Sequence, residues 1–535
     1  MAKNTSSKYE NISCKVLIHS GSPTLYQLKP KEENIGSLKR MTLGEKNLNK
    51  INKTILLVGE TGTGKSTLIN ALVNYAMGVE WHDDVWFKIV EEEKRSQSES
   101  QTSDVIVYQI FGFEDKPLPY SLTIIDTPGY GDTRGTKKDD IISQRLLDLF
   151  RSEDGVDEIN AVGLVMKGTD NRLTDRLRYI LDSVVSLFGK DIEKNIFTLI
   201  THSDGRTPKN ALEALEAANI KCARNEKNQP VHFLFNNCQH EDRTEETEVL
   251  KRADEITTEA LNQFTNFLGK TAPQKIQKTV NVLNERIRLT ACIQNLQERI
   301  KSIDLKKTEI QQTQDGLKKY EEEMKNNEKF TVEVDEVYKV KEPIDGGMWC
   351  LVFYEGAVRC KVCKENCHYP GCTMARKPGH CEVMKDGRCT SCTGKCPASD
   401  HVKDNYKYVE KTRKAKKTLE DVKQKYETSK AEGEKKESHL ETLQKEKETL
   451  EANKTALLYE AYQHVVQLEE IALNFLSLST YVHLDFLIEE MEKRNDTEKV
   501  NHLKLMKSPK SKVETMKDFF EGMQYNKLPQ MFKRK

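Results

Sequence analysis

Residues 59–66 read Gly59-Glu60-Thr61-Gly62-Thr63-Gly64-Lys65-Ser66, a complete G-x-x-x-x-G-K-S loop between a strand-like run, Thr54 to Val58, and an amphipathic helical stretch, Ser66 to Tyr75. Strand, glycine-rich turn and helix in that order restrict the fold to one built of strand–helix units. A polyphosphate is a dense anion, so the chain must present backbone N–H groups with no side chains in the way, and glycines at 59, 62 and 64 permit that approach. Lys65 then reaches the β and γ phosphates. Ser66 supplies the hydroxyl such loops place on Mg2+, and the helix N-terminus adds its partial positive charge.

Downstream, short β-branched runs alternate with helical patterns: Val105 to Phe111, Leu122 to Asp126, Ala161 to Met166, Asn195 to Thr201 and Val231 to Asn236. That alternation predicts an α/β domain with a mainly parallel sheet covered by helices, its ligand lying beyond the carboxyl ends of the strands. The motifs fall there. Asp126-Thr127-Pro128-Gly129 ends a strand, where a carboxylate holds Mg2+ through its water shell and the Gly129 N–H meets the γ-phosphate. Between the two motifs, Lys94 to Ser103 is polar and ends just before a strand, the place for a switch loop. Thr102 is the expected hydroxyl that closes on Mg2+ and the γ-phosphate, with Ser98, Ser100 and Ser103 as rivals. Thr201-His202-Ser203-Asp204 follows a later strand, and an aspartate there accepts hydrogen bonds from the N1 and N2 groups of guanine. Adenine has no such donor pair.

From about Ile51 to Asn237 these residues resemble the septin and AIG1-type GTPases. The specific parts are the run Gly59 through Thr67; Asp126-Thr-Pro-Gly-Tyr-Gly-Asp132, which looks most like a septin; and Arg172-Leu-Thr-Asp-Arg176, Leu187-Phe-Gly189 and Thr201-His-Ser-Asp204, which look more like AIG1. The resemblance implies GTP and GDP as ligands, guanine specificity through Asp204, Asn236 or Asn237 closing over the base, and self-association through the nucleotide domain. His202 stands where many GTPases have lysine. Three roles stay open for it: stacking on the purine, reaching a neighbouring nucleotide across a dimer, or plain surface exposure. Tyr130 stands where fast-hydrolysing relatives place a glutamine that orients water, and Thr61 where they need glycine to admit an arginine finger. Slow intrinsic hydrolysis is therefore expected, with Lys65 and Thr102 as the catalytic groups and acceleration by a homotypic contact that orders Thr102 and its water. Arg134 is a candidate contributor across that contact or a simple surface arginine.

Eighty-four basic residues balance eighty-four acidic ones, so no net field draws the chain to nucleic acid or an anionic membrane, and no specific nucleic-acid partner is expected. The polar start and the lack of an apolar run of about eighteen residues predict a cytoplasmic protein without a transmembrane segment. Charged residues make up 31% and apolar ones 37%, a mixture expected of a globular part followed by long solvated helices.

Nine of the thirteen cysteines lie between Cys350 and Cys396. C-x2-C pairs let two thiolates reach one tetrahedral ion, and the set Cys360, Cys363, Cys367, Cys372, Cys381, Cys389, Cys392, Cys396 and His401, with His368 and His380 nearby, offers ligands for one or two Zn2+ whose pairing is left open. Disulfides and free thiols are the alternatives. Before the cluster, Leu296, Ile300, Ile303, Ile310, Leu317 and Met324 form a heptad seam; after it, Leu419, Val422, Tyr426, Leu440, Leu443, Leu450, Leu457 and Leu468 suggest another. Helices over Lys275 to Asn327 and Lys403 to Ile471 would extend about 80 and about 100 Å. They predict an antiparallel α-helical coiled-coil hairpin with a zinc knot at its distal tip.

The expected domains are an N-terminal extension (1–49), a nucleotide domain (50–270), a first long helix (271–330), a Cys-rich metal segment (331–401), a second long helix (402–474), and a C-terminal helix with a polar tail (475–535). Three functions compete: a slow GTPase that switches or assembles with nucleotide state as a homodimer or homo-oligomer, a catalytically silent nucleotide-bound scaffold, and a zinc-hook ATPase resembling SMC proteins on DNA. The lack of a Leu-Ser-Gly-Gly signature and the presence of Asp204 count against the last.

Overall fold

The computed structural model describes residues 9, 12, 14–35, 38–91, 104–114, 116–130, 137–169, 173–323, 331–344, 348–349, 353–354, 356–372, 375, 377–418 and 439–507. The chain divides into two compact units, Met1–Leu283 with Ile471–Leu478, and Asn284–Glu470 with Ser479–Lys507. Among the described residues no helix is long and apolar enough to cross a membrane.

The first unit is built on an eight-stranded sheet. Edge to edge its strands are His232–Leu234, Ile196–Thr201, Ala161–Lys167, Asn52–Gly59, Ser121–Asp126, Ile106–Ile110, Leu38–Leu43 and Lys31–Ile35. The first five run parallel, and Ile106–Ile110 pairs antiparallel with Ser121–Asp126. Apolar runs such as Ile55 to Val58 and Ile196 to Ile200 are buried, as a sheet covered on both faces requires. Helices Lys65–Met77 and Thr247–Lys270 pack on this core, where Leu68, Leu72, Phe197, Phe233 and Phe264 meet. The described residues of the expected extension, 1–49, do not stand apart from the sheets. Leu38–Leu43 joins the sheet parallel to Ile106–Ile110, and Thr24–Leu28 pairs with Val85–Lys88 in a second, three-stranded sheet. Late in the chain, Ile471–Leu478 belongs to this unit too: Leu473 N donates to Phe188 O at 2.9 Å.

The second unit departs from the expected hairpin. Helix Gln277–Glu323, whose residues from Asn284 on belong here, buries Ile293, Leu296, Ile300, Ile303 and Ile310 of the first seam. His439–Ile471 runs antiparallel to it, with His464 beside Glu285 and Lys307 beside Glu451. The two helices are not joined through the cysteines as one continuous hairpin, however. Thr331–Pro343 and Tyr406–Thr418 form a two-stranded antiparallel ribbon, so the expected helix over 402–474 is strand in its first part. Leu419, Val422 and Tyr426 lie outside the described residues. Cross-strand charges support the ribbon: Glu336 faces Arg413, and Lys339 faces Glu410.

The ribbon lies along the first helix, with Gln312 bonded to Asp335, and returns the cysteine segment to the helix's earlier turns. There Asn295 Nδ2 donates to Asn366 O, and Arg299 reaches both Glu365 and Ser391 O. The cysteine segment thus sits on the flank of the helix, not at a distal tip, which removes the geometry of the zinc-hook reading. The apolar stretch around Phe475 to Met491 forms helix Leu478–Glu492, and a further helix, Thr497–Lys507, occupies part of the region expected to be a polar tail.

Candidate nucleotide site and cysteine centre

The strand Asn52–Gly59 delivers the loop to the carboxyl edge of the sheet. Helix Lys65–Met77 begins at Gly64 (φ +83°) with no side-chain cap and no acidic residue in its first turn, so its N–H groups face an anion unopposed. Gly62 also takes a left-handed φ of +79°. Ser66 and Thr67 lie half-buried in that first turn. Lys65 Nζ donates to Gly59 O and Glu60 O, both at 3.0 Å. Burial lowers its pKa to about 8, against the pull of Asp126 and Glu60. Two threonines tie the loop: Thr63 Oγ1 donates to Glu60 O at 2.9 Å, and Thr201 Oγ1 lies 2.7 Å from Thr63 O.

Asp126 is fully buried at the end of its strand, in register with Leu57, and Thr127 Oγ1 donates to Leu57 O at 2.9 Å. The chain beyond it lies directly on the loop. Tyr130 N donates to Gly59 O at 3.1 Å, and Thr61 N donates to Tyr130 O at 3.3 Å. A Cβ on Gly129 would lie 2.5 Å from Thr61 Cα, so only glycine fits. The Tyr130 ring is buried, 1% exposed, leaving no side chain at that position to orient water. Thr102 and Arg134 lie outside the described residues.

On the base side, His202 adopts φ +51°, and a Cβ on Gly64 would lie 3.9 Å from its Nε2. The imidazole is therefore beside the loop. Asp204 is 69% exposed and accepts the Arg206 N–H at 2.9 Å. Ser203 N donates to Phe235 O at 3.0 Å, which brings the 235–237 turn alongside. Asn236 is engaged with Thr257 and Cys238. Asn237 Oδ1 and Nδ2 are both buried and have no hydrogen-bond partner among the described residues.

Arg176 went unnoticed as a site residue in the sequence. Carried by helix Asp175–Val185, it sets Nε 2.5 Å from Glu60 Oε1 inside the loop. Its one signal in the sequence is its place at the end of the Arg172-Leu-Thr-Asp-Arg176 motif.

The cysteine segment forms the second centre. Three groups bring metal-ligating atoms within 4.8 Å of one another: Cys360, Cys363, Cys392 and Cys396; Cys367, Cys389, Cys392 and His401; and His368, Cys372 and Cys381. Every expected zinc ligand falls in one of these, and His380 in none. Cys350 lies outside the described residues.

The loop, the buried aspartate and the glycine docked on the loop define a P-loop nucleotide-binding α/β domain. A septin family model matches residues 49–152. Septin-5 of Homo sapiens is 31% identical over 112 residues, 20% of this chain and 28% of that protein. Septin-4 of Rattus norvegicus is 29% identical over 168 residues, 29% of this chain and 33% of that one. The chain thus spans about a third of the length of these curated relatives, or less. Among solved structures, Toc33 from Arabidopsis thaliana in complex with GDP and Mg2+ is similar at 13% identity and a TM-score of 0.28, covering 43% of this chain and 89% of that one. Within the first unit, residues 49–152 are thus similar to the septin GTPase domain.

Proposed function

We propose that this chain binds GTP and GDP with Mg2+, hydrolyses GTP slowly, and pairs through its nucleotide domain in a nucleotide-dependent way. One observation carries the reading. The Asp126–Tyr130 segment is hydrogen-bonded to the phosphate loop at Gly59 and Thr61, so a group entering at the γ-phosphate position is sensed by both segments at once. Lys65 and Ser66 would hold phosphate and Mg2+, Asp126 the metal's water shell, and Asp204 with Asn237 the guanine. Thr102 would complete the metal site. Magnesium supplies charge neutralisation between the phosphates, while this chain's amides and Lys65 orient the triphosphate and exclude water.

The buried Tyr130 and the Thr61 side chain also support a second reading, a nucleotide-bound scaffold without turnover. Under either reading the cysteine centre serves as structural zinc, and the protein works in the cytoplasm. Light scattering after size exclusion, in GDP and in a non-hydrolysable GTP analogue, tests the first reading: a larger particle in the triphosphate state is expected, and equal mass in both sinks nucleotide-dependent pairing. Turnover that rises faster than linearly with protein concentration separates the switch from the scaffold, for which no turnover is expected at any concentration.

A further inference from the structure

We propose that the cysteine segment holds three zinc-class ions, two of them joined through the shared thiolate of Cys392. This rests on the structural-zinc reading and gives it a count and a connectivity. Cys360, Cys363 and Cys396 cluster with Cys392, and so do Cys367, Cys389 and His401. Seven ligands cannot fill two separate four-coordinate sites. With Cys392 bridging, each ion receives four.

The spacing fits metal. Zn–S bonds of about 2.3 Å around a tetrahedral ion set neighbouring sulfurs about 3.8 Å apart. Cys363 Sγ and Cys396 Sγ are 3.7 Å apart, and Cys372 Sγ and Cys381 Sγ 3.9 Å. A disulfide would need about 2.05 Å.

The surroundings are arranged for thiolates. Cys363 N donates to Cys360 Sγ, Gly394 N to Cys363 Sγ, Ser391 N and Cys392 N to Cys389 Sγ, and Cys396 N to Cys392 Sγ, all at 3.3 Å. Such amides offset the charge that six thiolates leave on two divalent ions. His401 Nδ1 lies 2.9 Å from Pro397 O, which places the ring proton on Nδ1. Its Nε2 is buried, has no hydrogen-bond partner among the described residues, and lies among the sulfurs of the second group, as a ligand nitrogen should.

The third ion shares no residue with the pair. Its protein ligands are His368, Cys372 and Cys381, with His368 Nδ1 3.1 Å from Cys381 Sγ, and a water completes the fourth position, as at other three-ligand zinc sites. Beside the cysteines this core holds only a few apolar residues, Ala291, Val358, Ala375, Val383 and Met384 among those described, so the ions stand in for a hydrophobic interior.

Metal content of the full chain purified under reducing conditions, measured by plasma mass spectrometry, should be three zinc per chain. After exchange for Co2+, the thiolate-bridged pair should couple antiferromagnetically, lowering the magnetic moment below that of three isolated ions. Cys372→Ser should reduce the count to two and leave the coupling intact; Cys392→Ser should abolish the coupling and lose at least one ion. Should Cys392→Ser fail to fold, magnetisation of the wild-type protein still decides. Additive moments, with two ions per chain or three, overturn the shared thiolate while structural zinc stands; two ions that remain coupled overturn the third ion. Absence of metal overturns both.

Discussion

Arg176 Nε lies 2.5 Å from Glu60 Oε1, and both side chains are about one quarter exposed, so a helix two motifs downstream neutralises the one acid inside the phosphate loop. A carboxylate next to a bound triphosphate repels it unless its charge is offset. Arg176→Ala should weaken nucleotide binding about five- to tenfold, the scale of a half-buried ion pair. Glu60→Gln in the same chain should restore affinity. Calorimetric Kd values for the four members of this cycle check the point, and equal losses in Arg176→Ala with and without Glu60→Gln would show that Arg176 acts through something other than Glu60.

Asn237 is expected to act on ligand, because its amide atoms are buried without partners among the described residues while Asn236 is already engaged. An unsatisfied buried amide costs about 1–3 kcal/mol, which a base or ribose contact would recover. Asn237→Ala should therefore leave the melting temperature of the nucleotide-free protein unchanged or slightly raised, and weaken guanine-nucleotide binding about tenfold. Asn236→Ala should do the opposite, lowering stability more than affinity. Thermal melts with and without GDP distinguish the two.

The phosphate loop and its neighbours were legible because their chemistry permits few substitutes. Gly129 is forced by the approach of Thr61, and Lys65 by the polyanion. The ribbon was not legible in the same way. Its strands are rich in Lys and Glu, residues that favour helices, and the alternation of Val332, Val334, Tyr338 and Val340 is short. What stabilises it is register, which sets Glu336 against Arg413 and Lys339 against Glu410 across strands some seventy residues apart in sequence, and no local pattern reports that. The cysteine spacings offered candidate metal ligands, but grouping them needed the turns that bring Cys360 to Cys396 and Cys367 to His401.

Asp182 should make the first unit pH-sensitive. Burial raises its pKa from 3.8 to about 6, opposed by Arg178 and by the Asn474 amide, which donates to Oδ1 at 2.9 Å. The folded state therefore binds a proton more tightly than the unfolded chain, so this group's contribution is fully present below about pH 4 and is lost as pH rises through about 6. At pH 7 the buried carboxylate costs up to about 3 kcal/mol. Asp182→Asn keeps an oxygen to accept from Asn474 and removes the charge. Denaturant melts should show the variant more stable at pH 7 and the difference shrinking toward pH 4; a difference independent of pH would exclude this titration as the cause.

Gly129 tests whether the docked Asp126–Tyr130 segment carries the nucleotide signal. A Cβ there would lie 2.6 Å from Thr61 N and 2.4 Å from Thr61 Oγ1, and since the first is backbone the neighbour cannot step aside. Gly129→Ala should push the segment off the loop, breaking the paired bonds between Tyr130 and residues 59 and 61. Lys65, Thr63 and Thr201 hold the loop from its other side and are untouched. Binding of GDP should therefore fall no more than about threefold, whereas preference for the triphosphate should be lost, because the γ-phosphate would meet no Gly129 N–H. Measuring Kd for GDP and for a non-hydrolysable GTP analogue separates these effects. If the variant keeps the wild-type ratio of the two affinities, the segment does not read the γ-phosphate, and nucleotide state must be communicated by the loop alone.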